Sequence, residues 1–295
     1  MTPTIIFDKD RSVKACVADA WRLFARTWKR YLRAVWLYLT LAGSTQALLL
    51  ELFIRYIANH ALPALRLSQS GGDPRIVRYI LMPDGLTLLY FCLSAILCIF
   101  ATYACYGRIS SLIQTYKSWN VMPRLVRPAL SKTESNCGLR LLGIDALAAF
   151  ITLLLLAGVW LLAVKVTPWL ALLIPLFTLY IWTTANVARI QFSVNGQKLK
   201  ASLRYALRHS LGTPLVVQIL TLIPAGLLTT ILSLPILTYM LGSWAAADSL
   251  LRGDVTTTPP VLPLLFFIVN TLCFTVIQAI CSWRTWALSM KCRSL

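Results

Sequence analysis

The chain has 295 residues, 58% of them hydrophobic and only 13% charged, with 28 Lys and Arg against 10 Asp and Glu and a mean hydropathy of +0.71. Soluble domains carry about 45–50% apolar and about 25% charged residues, so this chain lacks the polar sequence to cover a globule of its size. A soluble domain, a disordered tail and a secreted disulfide scaffold are all excluded, and the composition points to an all-α integral membrane protein.

In chain order, residues 12–33 read as a helix. Val13, Val17, Trp21, Phe24, Trp28, Tyr31 and Val35 recur at steps of three and four, the period of one helical face. Arg22, Arg26, Lys29, Arg30 and Arg33 fill the opposite face, and Asp10 or Ser12 is suited to cap the start. Aromatic residues opposite cations predict a helix lying along the membrane surface. Residues 1–33 are therefore expected as a cytoplasmic amphipathic segment ahead of a membrane domain over 34–295.

Crossing the hydrocarbon core takes about 20 mostly apolar residues. Six stretches qualify: 34–57, 86–107, 141–164, 169–190, 214–241 and 261–283. The segment before the first is too long and polar for a cleaved signal peptide, so that span is expected to act as an uncleaved anchor. Near its outer end Glu51 and Arg55 stand four apart, the spacing of a helix salt bridge; lining an external cavity is the other reading. The connections 58–85 and 242–260 are rich in Gly, Pro and Ser and read as external loops. Residues 121–137 are basic but broken by Pro123 and Pro128, so a short helix plus a loop is expected there.

Spans three and four are joined only by 165–168, a turn tight enough to make them an antiparallel pair. Asp145, one turn into span three, is then placed to meet Arg189 at the inner end of span four. A structural pair or part of an ion path would each offset the cost of a charge inside a membrane. Before span five, Leu199, Leu203, Leu207 and Leu211 alternate with Lys200, Arg204 and Arg208, and Gly212 and Pro214 end that helix. Pro175 in span four and Pro224 and Pro235 in span five each remove a backbone hydrogen bond and are expected to kink their helices. Such breaks build sites in transporters, although membrane helices also accommodate proline by packing. Gln46, Asn186, Gln218, Asn270 and Gln278 are expected to bond between helices.

The cations fix an orientation, because Lys and Arg resist translocation. They crowd the segments before spans one, three and five and after span six. The alternate connections hold only Arg66, Arg75, Arg78, Lys165 and Arg252. Both termini are expected to be cytoplasmic, with the whole net charge of +18 on that face. The spans form three hairpins, each preceded by a basic segment; shared physics explains the repeat as readily as duplication does.

This layout, with Ala20-Trp21-Arg22-Leu23-Phe24 opening the chain and Ser202-Leu203-Arg204-Tyr205-Ala206-Leu207-Arg208 before the fifth span, resembles a broad group of bacterial six-span membrane proteins. Some of these are similar to the membrane domain attached to certain glycerophosphodiester phosphodiesterases. The resemblance implies a bacterial cytoplasmic (inner) membrane and implies no catalytic residue.

Chemical motifs are sparse. His60 and His209 lack partners at metal spacing, the eight cysteines include no Cys-x-x-Cys, and no nucleotide-binding loop or nucleophile elbow occurs. No metal, cofactor or catalytic residue is expected. The leading expectation is a non-enzymatic protein whose basic face binds anionic lipid through Arg22, Arg26, Lys29, Arg30, Arg33, Lys200, Arg204 and Arg208, with a protein partner as a further candidate there. Nucleic acid is disfavoured, since no binding module is recognisable. The alternative is a small-solute or lipid transporter with a polar cavity near span five and Asp145.

Overall fold

The computed structural model describes residues 12–119, 131–165, 173–251 and 262–291, which are helical apart from short turns and contain no strand. In order these are α1 (Val13–Tyr56), a π-helical turn (Ile57–Ala61), α2 (Leu62–Gln69), α3 (Pro74–Leu81), α4 (Gly85–Trp119), α5 (Lys132–Lys165), α6 (Leu173–Ser193), α7 (Leu199–His209), α8 (Thr213–Leu251) and α9 (Leu262–Lys291). Five stretches are long and apolar enough to cross a membrane: Val13–Gln69, Gly85–Trp119, Lys132–Val159, Thr213–Ser249 and Pro263–Lys291. The described part of α6 is not among them, and its second half carries Asn186, Arg189 and Gln191. Its expected first residues, 169–172, and most of the tight turn before it lie outside the described residues.

The helices overrun the apolar windows that mark them. Hydropathy reports where the side chains match lipid, whereas a backbone ladder continues until a stop residue interrupts it. The expected surface helix over 12–33 is therefore not separate: α1 is one helix of 44 residues. Its sequence has no Gly or Pro before Gly43, so nothing breaks the ladder between the cationic turns and the apolar ones. Its buried side takes in only part of the aromatic face. Cys16, Ala20, Leu23, Tyr31 and Val35 are buried, whereas Trp21, Trp28 and Trp36 are each about half exposed. Likewise α8 runs unbroken through Pro224 and Pro235 and extends ten residues past the expected span, replacing part of the expected external loop with helix.

The chain divides into two compact units. One comprises Met1–Leu37, Tyr103–Gly226 and Ala279–Leu295. Within it α5 begins with Ser131-Lys132-Thr133-Glu134, a capping box: the Glu134 amide donates to Ser131 Oγ at 3.2 Å, and the Ser131 amide to Glu134 Oε2 at 2.9 Å. The expected loop up to residue 137 is thus already helical from 132; Pro123 and Pro128 lie outside the described residues. Glu134 also accepts from Arg108 Nη1 at 2.6 Å, with both side chains buried. Gly107 of α4 and Gly138 of α5 face each other's backbone. A Cβ on Gly107 would lie 2.5 Å from the Glu134 carbonyl oxygen, and one on Gly138 would lie 2.7 Å from that of Tyr103. Helices approach this closely only where side chains are absent.

α7 packs through small residues in the same way. Ser202, Ala206 and Ser210 are fully buried, and Thr184 Oγ1 bonds Ser210 Oγ at 3.0 Å. On the leucine row Leu199, Leu207 and Leu211 are exposed. An aromatic cluster of Trp21, Phe24, Tyr31, Tyr116, Trp283 and Trp286 joins α1, α4 and α9 in this unit, in mostly edge-to-face pairs.

The other unit comprises Tyr38–Thr102 and Leu227–Gln278. Gly43 of α1 meets α9, where an added Cβ would stand 2.9 Å from the Thr271 carbonyl oxygen. The expected loop over 58–85 contains two helices. α2 ends in a Schellman motif, with Gly71 at φ 77°, the Gly72 amide bonded to Leu67 O at 2.8 Å and the Gly71 amide to Ser68 O at 3.2 Å. Asp73 then caps α3 through the Arg75 amide at 2.9 Å, with Pro74 in the first turn. The π-helical turn sets Tyr56 and His60 in a stacked pair, and they bond the successive carbonyls of Leu81 and Ile80 at 2.8 and 3.0 Å. His60 therefore serves the end of α3.

Candidate functional site

Both expected intramembrane pairs form. Arg55 Nε donates to Glu51 Oε1 at 3.0 Å, and the Tyr239 hydroxyl donates to the other carboxylate oxygen. Arg55 is largely exposed, at 63%. Arg189 grips Asp145 through Nε and Nη2, while its Nη1 donates to Asn186 Oδ1 at 3.2 Å. Tyr103 closes the cluster with a hydroxyl hydrogen bond to Asp145 Oδ2 at 2.5 Å. Neither tyrosine was legible as a partner, since each comes from a helix far away in sequence.

The two pairs differ in burial, and burial decides their worth. Asp145 is 7% exposed and Arg189 21%. Removing one member of a buried pair costs about 3–5 kcal/mol, because the other charge is stranded. An exposed pair contributes about 0–1 kcal/mol. Asp145→Asn is accordingly expected to cost about 3 kcal/mol, against under about 1 kcal/mol for Glu51→Gln. Thermal unfolding of the two variants in the same detergent checks this; equal shifts would contradict the burial argument.

Beside Arg189 lies a cavity of about 170 Å³. It is bounded by α4, α5, α6, α8 and α9, all within the first unit. Its polar lining includes Ser110, Asn186, Arg189, Gln218, Arg284 and Thr285, and no carboxylate. The volume is several waters' worth. Arg284 has no acidic partner among the described residues, and its Nε makes no hydrogen bond. Gln218 is 3% exposed, and its Oε1 likewise finds no partner. Each such orphan costs about 1–3 kcal/mol unless something else satisfies it. Gln218, in the expected span five, lines this cavity, and Asp145 does not. Pro224 and Pro235 do not line it, and neither does Pro175, which sits in the first described turn of α6.

Arg284 escaped the sequence reading because a cation just after a span looks like an ordinary anchor. Only the tertiary fold sets it beside Arg189, near enough for the two like charges to act on each other.

A second, more open cleft of about 440 Å³ lies among Gly107, Gln114, Glu134, Arg140 and Lys198. Its one carboxylate, Glu134, is already engaged by Arg108 and Ser131. Among the described residues no group of three or more His, Cys, Asp or Glu could hold a metal ion.

The cations proposed from sequence are solvent-facing: Arg22, Arg26, Lys29, Arg30 and Arg33 on α1, and Lys200, Arg204 and Arg208 on α7. Arg22 makes a loose contact with Asp19 at 3.8 Å and remains 68% exposed.

The fold defines an all-helical multi-pass membrane protein. No family model, curated protein or solved structure matches the chain.

Proposed function

We propose that this is a non-enzymatic six-span protein of a bacterial cytoplasmic membrane, with both termini cytoplasmic, whose basic face holds anionic lipid. The observation that carries the reading is the outer face of α1 and α7. There Trp21, Trp28, Leu207 and Leu211 are exposed beside Arg22, Arg26, Lys29, Arg30, Lys200, Arg204 and Arg208. Exposed Trp and Leu next to exposed cations suit a headgroup layer, where apolar rings meet acyl chains and cations meet phosphates. The sixth crossing is α6 together with the residues before it, and the charge distribution supplies the orientation.

Each Lys or Arg near an anionic surface contributes about 1 kcal/mol. Replacing Arg22, Arg26, Lys29 and Arg30 together by Gln is expected to weaken retention of phosphatidylglycerol by up to about 4 kcal/mol. The loss should shrink as salt rises and screens the charges. Lipid retained by the full-length protein after detergent purification, quantified by mass spectrometry, tests it; unchanged retention would overturn the reading. A carrier of small solutes or lipids is the second reading, favoured by the polar cavity lined by Gln218. Transport of no anion or lipid in reconstituted vesicles would remove it.

A further inference from the structure

We infer that the cavity between Arg189 and Arg284 binds one phosphoryl oxyanion, as a site separate from the surface cations of α1 and α7. Four features of the lining lead there. The two guanidiniums come from different helices, α6 and α9, and no carboxylate shares the cavity with them. Asp145, which is not in the lining, pairs with Arg189 and, with Asn186, holds its guanidinium in place. Arg284 adds a positive charge with no carboxylate partner among the described residues, its neighbours being the Cys281 thiol and Tyr106. Its unbonded Nε is a buried donor in need of an acceptor.

The neutral groups complete the set. Ser110 from α4, Asn186 from α6, Gln218 from α8 and Thr285 from α9 surround the same space with hydroxyl and amide donors. Gln218 is buried with an unbonded terminal oxygen. Its amide can rotate by half a turn and offer its NH₂ in that direction, since the two ends occupy equivalent positions. Donors converging from four helices suit a tetrahedral group with acceptors on every side. The planar fork of arginine matches phosphate oxygens in pairs. A cation would meet the charge of Arg284 with no carboxylate in the lining to offset it, and an apolar ligand would strand the donors. The same chemistry is presented by free inorganic phosphate and by the headgroup of phosphatidic acid.

The test uses the purified full-length protein and its unfolding midpoint, first in detergent with sodium phosphate against sodium chloride at equal ionic strength. The second arm is in nanodiscs with and without phosphatidic acid. At a hundredfold excess over Kd, bound ligand should raise the midpoint by about 5 °C. A response to phosphate in detergent identifies the free ion as a ligand, and a response to phosphatidic acid alone identifies the headgroup. Arg284→Gln is expected to weaken the response at least tenfold, and the fourfold Gln variant of α1 should keep it. Gln218→Glu guards against misfolding of the arginine variant: its carboxylate would take the anion's place, raising the midpoint without ligand and abolishing the response. No response in either arm, an unaffected Arg284→Gln, or loss of the response in the α1 variant would overturn the inference. The last outcome would leave the surface reading standing.

Discussion

Replacing Glu134 by Ala is expected to cost at least about 3–5 kcal/mol, the loss seen when one member of a buried ion pair is removed. Arg108 and Glu134 are 6% and 7% exposed, so the stranded guanidinium has little water to turn to. The same substitution removes half of the capping box at the start of α5, worth about another 1 kcal/mol. Glu134→Gln separates the two contributions, since its amide oxygen can still accept from the Ser131 amide while the charge is gone. Combining it with Arg108→Met should recover much of the ion-pair loss, because two apolar or neutral groups leave no uncompensated charge. Unfolding midpoints of the three variants against the parent decide the matter. A shift of under about 2 °C for Glu134→Ala, less than 1 kcal/mol on the usual scale, would show that water reaches the pair.

Gly138→Leu and Gly107→Leu are the second large losses. Each new side chain would be driven into a backbone carbonyl of the facing helix, and backbone cannot rotate away as a side chain can. Overpacking a tight site costs about 1–3 kcal/mol, and a contact with main chain belongs at or above the upper end. Gly143, on the same helix as Gly138, has open space where its Cβ would be. Gly143→Leu should therefore cost nothing measurable, and helix propensity favours it by about 1 kcal/mol. A ranking by unfolding midpoint that failed to separate Gly138 from Gly143 would refute the close crossing of α4 and α5.

These particular contacts show which parts of the fold the sequence could and could not tell. The apolar windows were readable, since lipid demands them, and so was Glu51–Arg55, because an i, i+4 spacing is local. Asp145–Arg189 was readable through the short connection between its helices. Helix ends were read too short. Ser131-Lys132-Thr133-Glu134 and Gly71-Gly72-Asp73-Pro74 both carry cap signals, but prolines and glycines nearby drew the reading towards loop. The buried faces were not read at all. The tryptophans of α1 and the leucines of α7 were assigned to helices lying along the membrane surface, and no residue was assigned to a packed side. Lipid is as apolar as leucine, so large side chains gain nothing by turning inward. Small ones such as Ala20, Ser202 and Ala206 let helices come together. The cavity was illegible for the plainest reason: Arg189, Gln218 and Arg284 are brought together only by tertiary structure.

The length of α1 has its own consequence for the bilayer that receives it. Forty-four residues rise about 66 Å, more than twice a hydrocarbon core of about 30 Å. Each added 1.5 Å of membrane thickness asks the helix to surrender one more residue to the acyl chains, and the first in line beyond 34–57 is Arg33, with Arg30 and Lys29 behind it. A thick, sterol-rich bilayer would therefore have to thin around the helix or let these cations snorkel to its surface, while in a thinner one the helix tilts. In the proposed crossing the helix would act as a gauge, its arginines setting the depth at which insertion stops.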